Sequence, residues 1–173
     1  MDLKQNIRSI PNWPIKGVIF RDLTTLMQDP NAFRYSCDIL YDRYKDKNLD
    51  KMVGIDARGF VFGGVLAYRL GIGFVPVRKK GKLPHKTIEQ SYSLEYGEGI
   101  LEMHEDAVTP GEKVVIVDDL IATGGTAGAT VKLVKQLGAD LLECAFVVEL
   151  PDLKGREQIL GCPVFSITEF EGE

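Results

Sequence analysis

Four consecutive β-branched apolar residues, Val114-Val115-Ile116-Val117, run directly into two carboxylates, Asp118 and Asp119. A short loop ending in Thr123-Gly124-Gly125-Thr126 follows, and then Val131, Leu133, Val134 and Leu137 recur at helical spacing. An apolar run of this kind reads as a buried strand of a parallel sheet. Acids at the carboxyl end of such a strand, with small residues opening a helix, sit where α/β sheets bind ligands. The loop and helix start offer backbone N–H groups, hydroxyls and a positive dipole end, which suit a phosphate. The carboxylates would repel that phosphate, so they have other work: accepting hydrogen bonds from hydroxyls or supporting a divalent cation. A phosphate and a vicinal diol a few ångströms apart describe a ribose 5-phosphate.

The remaining chain alternates strand and helix. Leu3 to Ile10 reads as a short helix stopped by Pro11 and Pro14, and Gly17 to Asp22 as a short strand or a buried loop. Pro30 opens a helix to about Lys47, with Phe33, Cys37, Leu40, Tyr41 and Tyr44 on one face. Lys51 to Asp56 is a strand, Ala57-Arg58-Gly59 its turn, and Phe62 to Leu70 a helix closed by Gly71. Gly73 to Arg78 is a strand. From Lys79 to Gly99, KKGKLPHKTIEQSYSLEYGEG reads as a mobile arm that forms a hairpin in part and stays outside the core. Asp140 to Leu150 is a strand, Lys154 to Leu160 a short helix, and Val164 to Ile167 a last strand. This order predicts an α/β domain with a mainly parallel sheet.

Composition bounds the partners. The chain has 173 residues, fitting one domain, and a net charge of −4 that argues against non-specific nucleic-acid binding. Cys37, Cys144 and Cys162 lack C-x-x-C spacing and read as reduced thiols. His85 and His104 have no metal-ligand spacing, and His85 reads as a solvated loop residue. The polar, proline-broken start resembles neither signal peptide nor anchor, and no apolar run approaches membrane-spanning length.

Two further strand ends converge on the crevice. Asp56-Ala57-Arg58-Gly59 is either a surface turn or a site where Arg58 and neighbouring N–H groups meet an anion. Arg78-Lys79-Lys80-Gly81-Lys82 is either a solvated charge run or a second phosphate or pyrophosphate site. No G-x-x-x-x-G-K-[ST], G-x-G-x-x-G after a strand, G-x-S-x-G or H-E-x-x-H occurs. A ribose phosphate beside a second anionic site leaves one economical reaction, phosphoribosyl transfer with pyrophosphate leaving.

VVIVDDLIATGGT resembles the phosphoribosyl-pyrophosphate motif of type I phosphoribosyltransferases. GVIFRD, DARGF, RKKGKLP, SYSLEYG and LKGRE resemble, in that order and spacing, the adenine-specific members of that family, over about Ile7 to Phe170. The resemblance implies the type I phosphoribosyltransferase fold: a central twisted, mainly parallel sheet flanked by helices, with an N-terminal hood over about residues 1–30 and a flexible arm over about 79–102. It implies conversion of adenine and phosphoribosyl pyrophosphate to AMP and pyrophosphate by a cytoplasmic homodimer. Mg2+ is implied as cofactor, held mainly by substrate and water with no direct protein ligand.

Carried over by position, Asp118 and Asp119 would hold the ribose hydroxyls, and Ala122, Thr123, Gly124, Gly125 and Thr126 the 5-phosphate. Ala57 and Arg58 would take the pyrophosphate, with a cis peptide at Asp56–Ala57, and Arg78, Lys79 and Lys82 would add charge to it. Ile19 and Arg21 would read the adenine edge through main-chain groups while Phe20 stacks on the ring. Glu95 would move the proton at the base, and Tyr96 would help close the arm. Trp13 reads as core or dimer packing. Ala57 lacks the hydroxyl some members carry there, and Ile19 replaces a common valine. The rivals are a transferase for another purine base and a regulator that senses phosphoribosyl pyrophosphate on the same fold.

Overall fold

The structure, a computed structural model, describes residues 1–94 and 97–172. The described residues form nine strands: β1 (Arg8–Pro11), β2 (Ile19–Asp22), β3 (Lys51–Ile55), β4 (Gly73–Lys79), β5 (Thr87–Leu94), β6 (Gly97–His104), β7 (Lys113–Ile121), β8 (Asp140–Glu149) and β9 (Val164–Glu169). The α-helices are α1 (Thr24–Gln28), α2 (Pro30–Tyr44), α3 (Gly59–Leu70) and α4 (Gly125–Gln136).

Seven strands make one sheet in the order β5-β6-β4-β3-β7-β8-β9, while β1 and β2 form a separate antiparallel pair. The central pairings β4–β3, β3–β7, β7–β8 and β8–β9 are parallel, and the β5–β6 hairpin joins β4 antiparallel. The predicted α/β class is what is seen. Strand order reverses between β3 and β7, which is where such sheets open a crevice. Their pairing ends at Gly54↔Val117, so the chain beyond each strand parts there.

The two-residue period of β7 sorts its side chains. Val115 and Val117 pack with Phe62 and Leu66 of α3 and Leu40 of α2, whereas Val114 and Ile116 pack with Val131, Leu133 and Val134 of α4. All four β7 residues are fully buried, each contributing about 1.5–3 kcal/mol. A strand covered on both faces needs the unbroken apolar run that Val114–Val117 supplies.

Element ends follow local chemistry. Asp29 caps α2 by accepting from the Asn31 and Ala32 N–H groups at 2.9 Å each, with Pro30 in the first turn. Gly71 ends α3 in the left-handed region at φ 68°, as predicted.

Several expectations are corrected. The helix expected over Leu3–Ile10 is a 3-10 turn at Leu3–Asn6, after which β1 pairs with β2. The alternatives for Gly17–Asp22 resolve to a strand over Ile19–Asp22. Helix α1 has no counterpart among the sequence-based expectations, α2 ends at Tyr44, and α3 starts three residues early at Gly59. Lys154–Leu160 forms a 3-10 turn at Gly155–Gln158 after another at Pro151–Leu153. The arm is more integrated than expected, because Ile88 and Tyr92 of β5 pack against the core that Leu101 and Met103 of β6 enter just after it. No described helix is long and apolar enough to cross a membrane.

Candidate active site

Strand β7 runs on to Ile121, so Asp118 and Asp119 lie within the strand and not after it. Asp119 is 2% exposed. Its Oδ2 is ion-paired with Arg58 Nε, reaching across from the turn after β3. Burial opposes the Arg58 charge, but the Asp119 and Asp118 carboxylates outweigh it and hold the guanidinium above its ordinary pKa. Asp118 is partly buried, and its Oδ1 accepts the Asp119 N–H at 2.8 Å. Desolvation, with the Asp119 charge beside it, raises the Asp118 pKa well above the usual carboxylate range.

Gly59, which opens α3, is indispensable to this packing. A Cβ there would stand 2.8 Å from Asp118 Oδ1 and 2.8 Å from the Val117 carbonyl oxygen. Sequence reasoning gave Gly59 no role beyond a turn. The DARGF motif held the signal, since only a bare backbone lets a helix start lie against a carboxylate.

The Asp56–Ala57 peptide is cis, as expected. Asp56 Oδ2 accepts Arg78 Nε at 2.9 Å, joining the turn after β3 to the end of β4. Arg78 also donates through Nη1 to the Lys82 carbonyl at 3.1 Å. Glu102 on β6 folds the basic run, accepting the Lys82 and Leu83 N–H groups at 2.9 and 2.7 Å. Burial works against the Glu102 charge, yet these N–H groups hold its pKa below the ordinary value. Lys80 pairs with Glu89 at 2.8 Å. Lys79 and Lys82 are exposed, and among the described residues neither is held by an ion pair.

Beyond β7, Ala122 and Thr123 lead to Gly124, which takes φ 81° and immediately precedes α4. Among the described residues no side chain caps this helix, so its first-turn N–H groups are left for a ligand. The loop residues Leu120–Ala127, with Tyr92 and Ser93 of β5, line a cavity of about 130 Å³. The hairpin thus reaches the loop after β7, and a Cβ on Gly125 would stand 3.3 Å from the Ser93 carbonyl oxygen.

Ile19, Phe20 and Arg21 lie on β2, facing Pro11, Ile10 and Ser9 in register. Arg21 donates to Ser9 Oγ at 2.6 Å and lies over the Phe170 ring at 4.2 Å. Of the two places expected for Trp13, the core is excluded: it is 50% exposed, with its ring edge-on to Phe20 at 4.5 Å. It borders the expected base stacker, a neighbour that sequence reasoning missed. Asp22 ends β2 within electrostatic reach of Arg58, which ties the two-stranded sheet to the crevice. Glu95 and Tyr96 lie outside the described residues.

Among the described residues no three His, Cys, Asp or Glu side chains gather as a protein-held metal centre. The donors at the β7 end are two carboxylates, one of them paired with Arg58. That set fits a hard cation that keeps most of its oxygen ligands from water and substrate.

Two adjacent acids on β7 at the strand-order reversal, an uncapped helix start and a basic turn after β3 suit a ligand with hydroxyls and more than one anionic group, the ligand chemistry of a phosphoribosyl-transferring protein. A family model for the phosphoribosyl transferase domain matches residues 22–172. The adenine phosphoribosyltransferase of Desulfosudis oleivorans is 62% identical over 173 residues, covering all of both chains. The crystal structure of adenine phosphoribosyltransferase from Thermoanaerobacter pseudethanolicus superposes with a TM-score of 0.93 at 48% identity, covering 98% of each chain. The Saccharomyces cerevisiae enzyme, crystallised with an imino-altritol bisphosphate and adenine, gives 0.90 at 44% identity, covering 96% of each. The chain belongs to the adenine phosphoribosyltransferase family.

Proposed function

We propose that this chain transfers the 5-phosphoribosyl group of phosphoribosyl pyrophosphate to adenine, giving AMP and pyrophosphate in purine salvage. The observation that supports the reading is the ion pair between Arg58, on the turn after β3, and Asp119 of β7, the strand that leads into the uncapped start of α4. Asp118 and Asp119 accept the ribose hydroxyls, and Ala122, Thr123, Gly124, Gly125 and Thr126 surround the 5-phosphate. Ala57, Arg58, Arg78, Lys79 and Lys82 receive the pyrophosphate, and Ile19, Phe20 and Arg21 form the base site.

Cleavage at the anomeric carbon builds positive charge on the ribose and negative charge on the leaving pyrophosphate. Cations held at the β3 and β4 ends stabilise the departing group without reorganising at the moment of reaction. Asp118 and Asp119 would face a Mg2+ held mainly by substrate and water, which would supply further charge neutralisation. Glu95 moves the proton at the purine imidazole nitrogen, worth about 10²–10⁴-fold. The β5–β6 hairpin, with Tyr96 on the arm, excludes water from the reacting carbon.

The reading extends to a cytoplasmic homodimer. Val61, Gly64, Val65 and Tyr68 form an apolar stripe on α3 beside Arg58, with Tyr68 88% exposed, which supports a second copy packing there. The three free cysteines suit a reducing compartment.

Glu95→Gln tests the proton-transfer assignment. Turnover should fall by at least about 10²-fold while the KM values for both substrates stay nearly constant. Equal losses in turnover and affinity, or no loss, would remove Glu95 from that role.

A further inference from the structure

Beyond β8 the chain wraps the outer side of the phosphate loop. The Leu150 N–H donates to the Ile121 carbonyl at 3.0 Å, fixing the start of this wrap to the last residue of β7. At its far end Lys135 Nζ of α4 donates to the Leu160 carbonyl at 3.1 Å. Between these points the two backbones come into contact, with the Ile121 side chain beside Gly155. A Cβ on Gly124 would lie 2.2 Å from the Gly155 carbonyl oxygen, and one on Gly155 would lie 2.4 Å from the Ala122 carbonyl oxygen. One turn into α4, a Cβ on Gly128 would lie 2.6 Å from the Gln158 carbonyl oxygen. Three glycines therefore permit a contact that any other residue would force apart.

Arg156 anchors the wrap. Its Nε and Nη2 form a fork onto the Glu149 carboxylate at 2.6 and 2.5 Å, and its Nη1 donates to the Val164 carbonyl at 2.8 Å. Ser166 Oγ completes the cluster, donating to Glu149 Oε2 at 2.8 Å. The Arg156 fork, reinforced by Ser166 against the cost of burial, holds the Glu149 pKa below the usual value. Residue 156 is thus fixed to β8 and β9, and Gly155 beside it is pressed on the loop.

We propose that Gly155 and Arg156 are positioning residues for the ribose 5-phosphate: a rigid backstop that sets the depth of the loop from outside. The proposal rests on reading Ala122–Thr126 as the 5-phosphate loop. Neither residue reaches the base or pyrophosphate sites, so the effect is confined to one end of one substrate. Displacing the loop by a few tenths of an ångström misaligns its N–H groups, and misplacement of about 1 Å is enough to cost roughly 10²-fold.

The experiment compares Gly155→Ala, Arg156→Lys and Thr126→Val with the parent chain. It measures KM for both substrates, kcat, calorimetric binding of ribose 5-phosphate, and the melting temperature. Gly155→Ala should weaken ribose 5-phosphate binding and raise the phosphoribosyl pyrophosphate KM about tenfold or more, with the adenine KM within about twofold. Arg156→Lys keeps the charge but loses the fork, so it should shift the same two quantities in the same direction, by less. Should Gly155→Ala fail to fold, Arg156→Lys decides. A lower melting temperature with both KM values unchanged, or with both raised together, overturns the backstop. If Thr126→Val weakens ribose 5-phosphate binding while the other two variants do not, the backstop alone is wrong. If Thr126→Val leaves that binding intact, the loop assignment fails and the backstop with it.

Discussion

Arg58 of the turn after β3 is ion-paired through Nε with Oδ2 of Asp119 on β7, across the gap where the two strands stop pairing. A cation assigned to the leaving group and a carboxylate assigned to the diol are therefore positioned against each other by the fold itself. Arg58→Ala leaves a nearly buried carboxylate without its charged partner. The expected cost is about 1–3 kcal/mol, at the lower end because the Arg58 side chain is half exposed. Urea unfolding should show that loss, and the phosphoribosyl pyrophosphate KM should rise by about tenfold or more.

Asp118 carries the opposite kind of energy. Burial, with Asp119 adjacent, raises its folded pKa, so the native state binds a proton more readily than the unfolded chain. Stability then falls as pH rises from about 4 through the raised folded value. Asp118→Asn retains the acceptor for the Asp119 N–H while removing the charge. It should melt higher than the parent at neutral pH, with the gain vanishing below about pH 4, and should bind phosphoribosyl pyrophosphate more weakly. Melting curves across pH check the first statement. A variant no more stable than the parent near neutrality contradicts it.

Glu143 of β8 separates stability from function. It accepts Arg43 Nε and Nη2 at 2.6 Å each and the Tyr44 hydroxyl at 2.7 Å, behind the sheet and away from the crevice. Desolvation pushes its pKa up, but those donors outweigh it and leave the folded value depressed. The stabilisation is present above about pH 4.3 and is lost as pH falls through the folded value. Glu143→Ala should cost about 1–3 kcal/mol near neutrality, because the buried Tyr44 hydroxyl loses its acceptor. Its kinetic constants at low temperature should match the parent, and the stability gap should close on acidification.

The central strands were legible in the sequence because burial on both faces demands unbroken apolar runs. Val114–Val117 of β7 is one such run, and Cys144-Ala145-Phe146-Val147-Val148 of β8 is another, every residue of both fully buried. Asp118, Asp119 and the Thr123–Thr126 loop were legible because acids beside a small-residue helix start have no packing role. Strand β1 was not: Arg8–Pro11 has no alternation, and its strand geometry comes from pairing with β2. Lys154–Leu160 reads as a helix in sequence, whereas the 3-10 turn found at Gly155–Gln158 lies against Gly124 and Gly128, a contact that no local pattern reports. Gly59 and Trp13 escaped for the same reason, since each is defined by a partner distant in sequence or across a turn.

The most direct test offers purified protein Mg2+, phosphoribosyl pyrophosphate and equal concentrations of adenine, hypoxanthine and guanine, and resolves the nucleotide products. AMP with stoichiometric pyrophosphate, and neither IMP nor GMP, is the predicted result. Formation of IMP or GMP in place of AMP, or no nucleotide at all, would contradict the account.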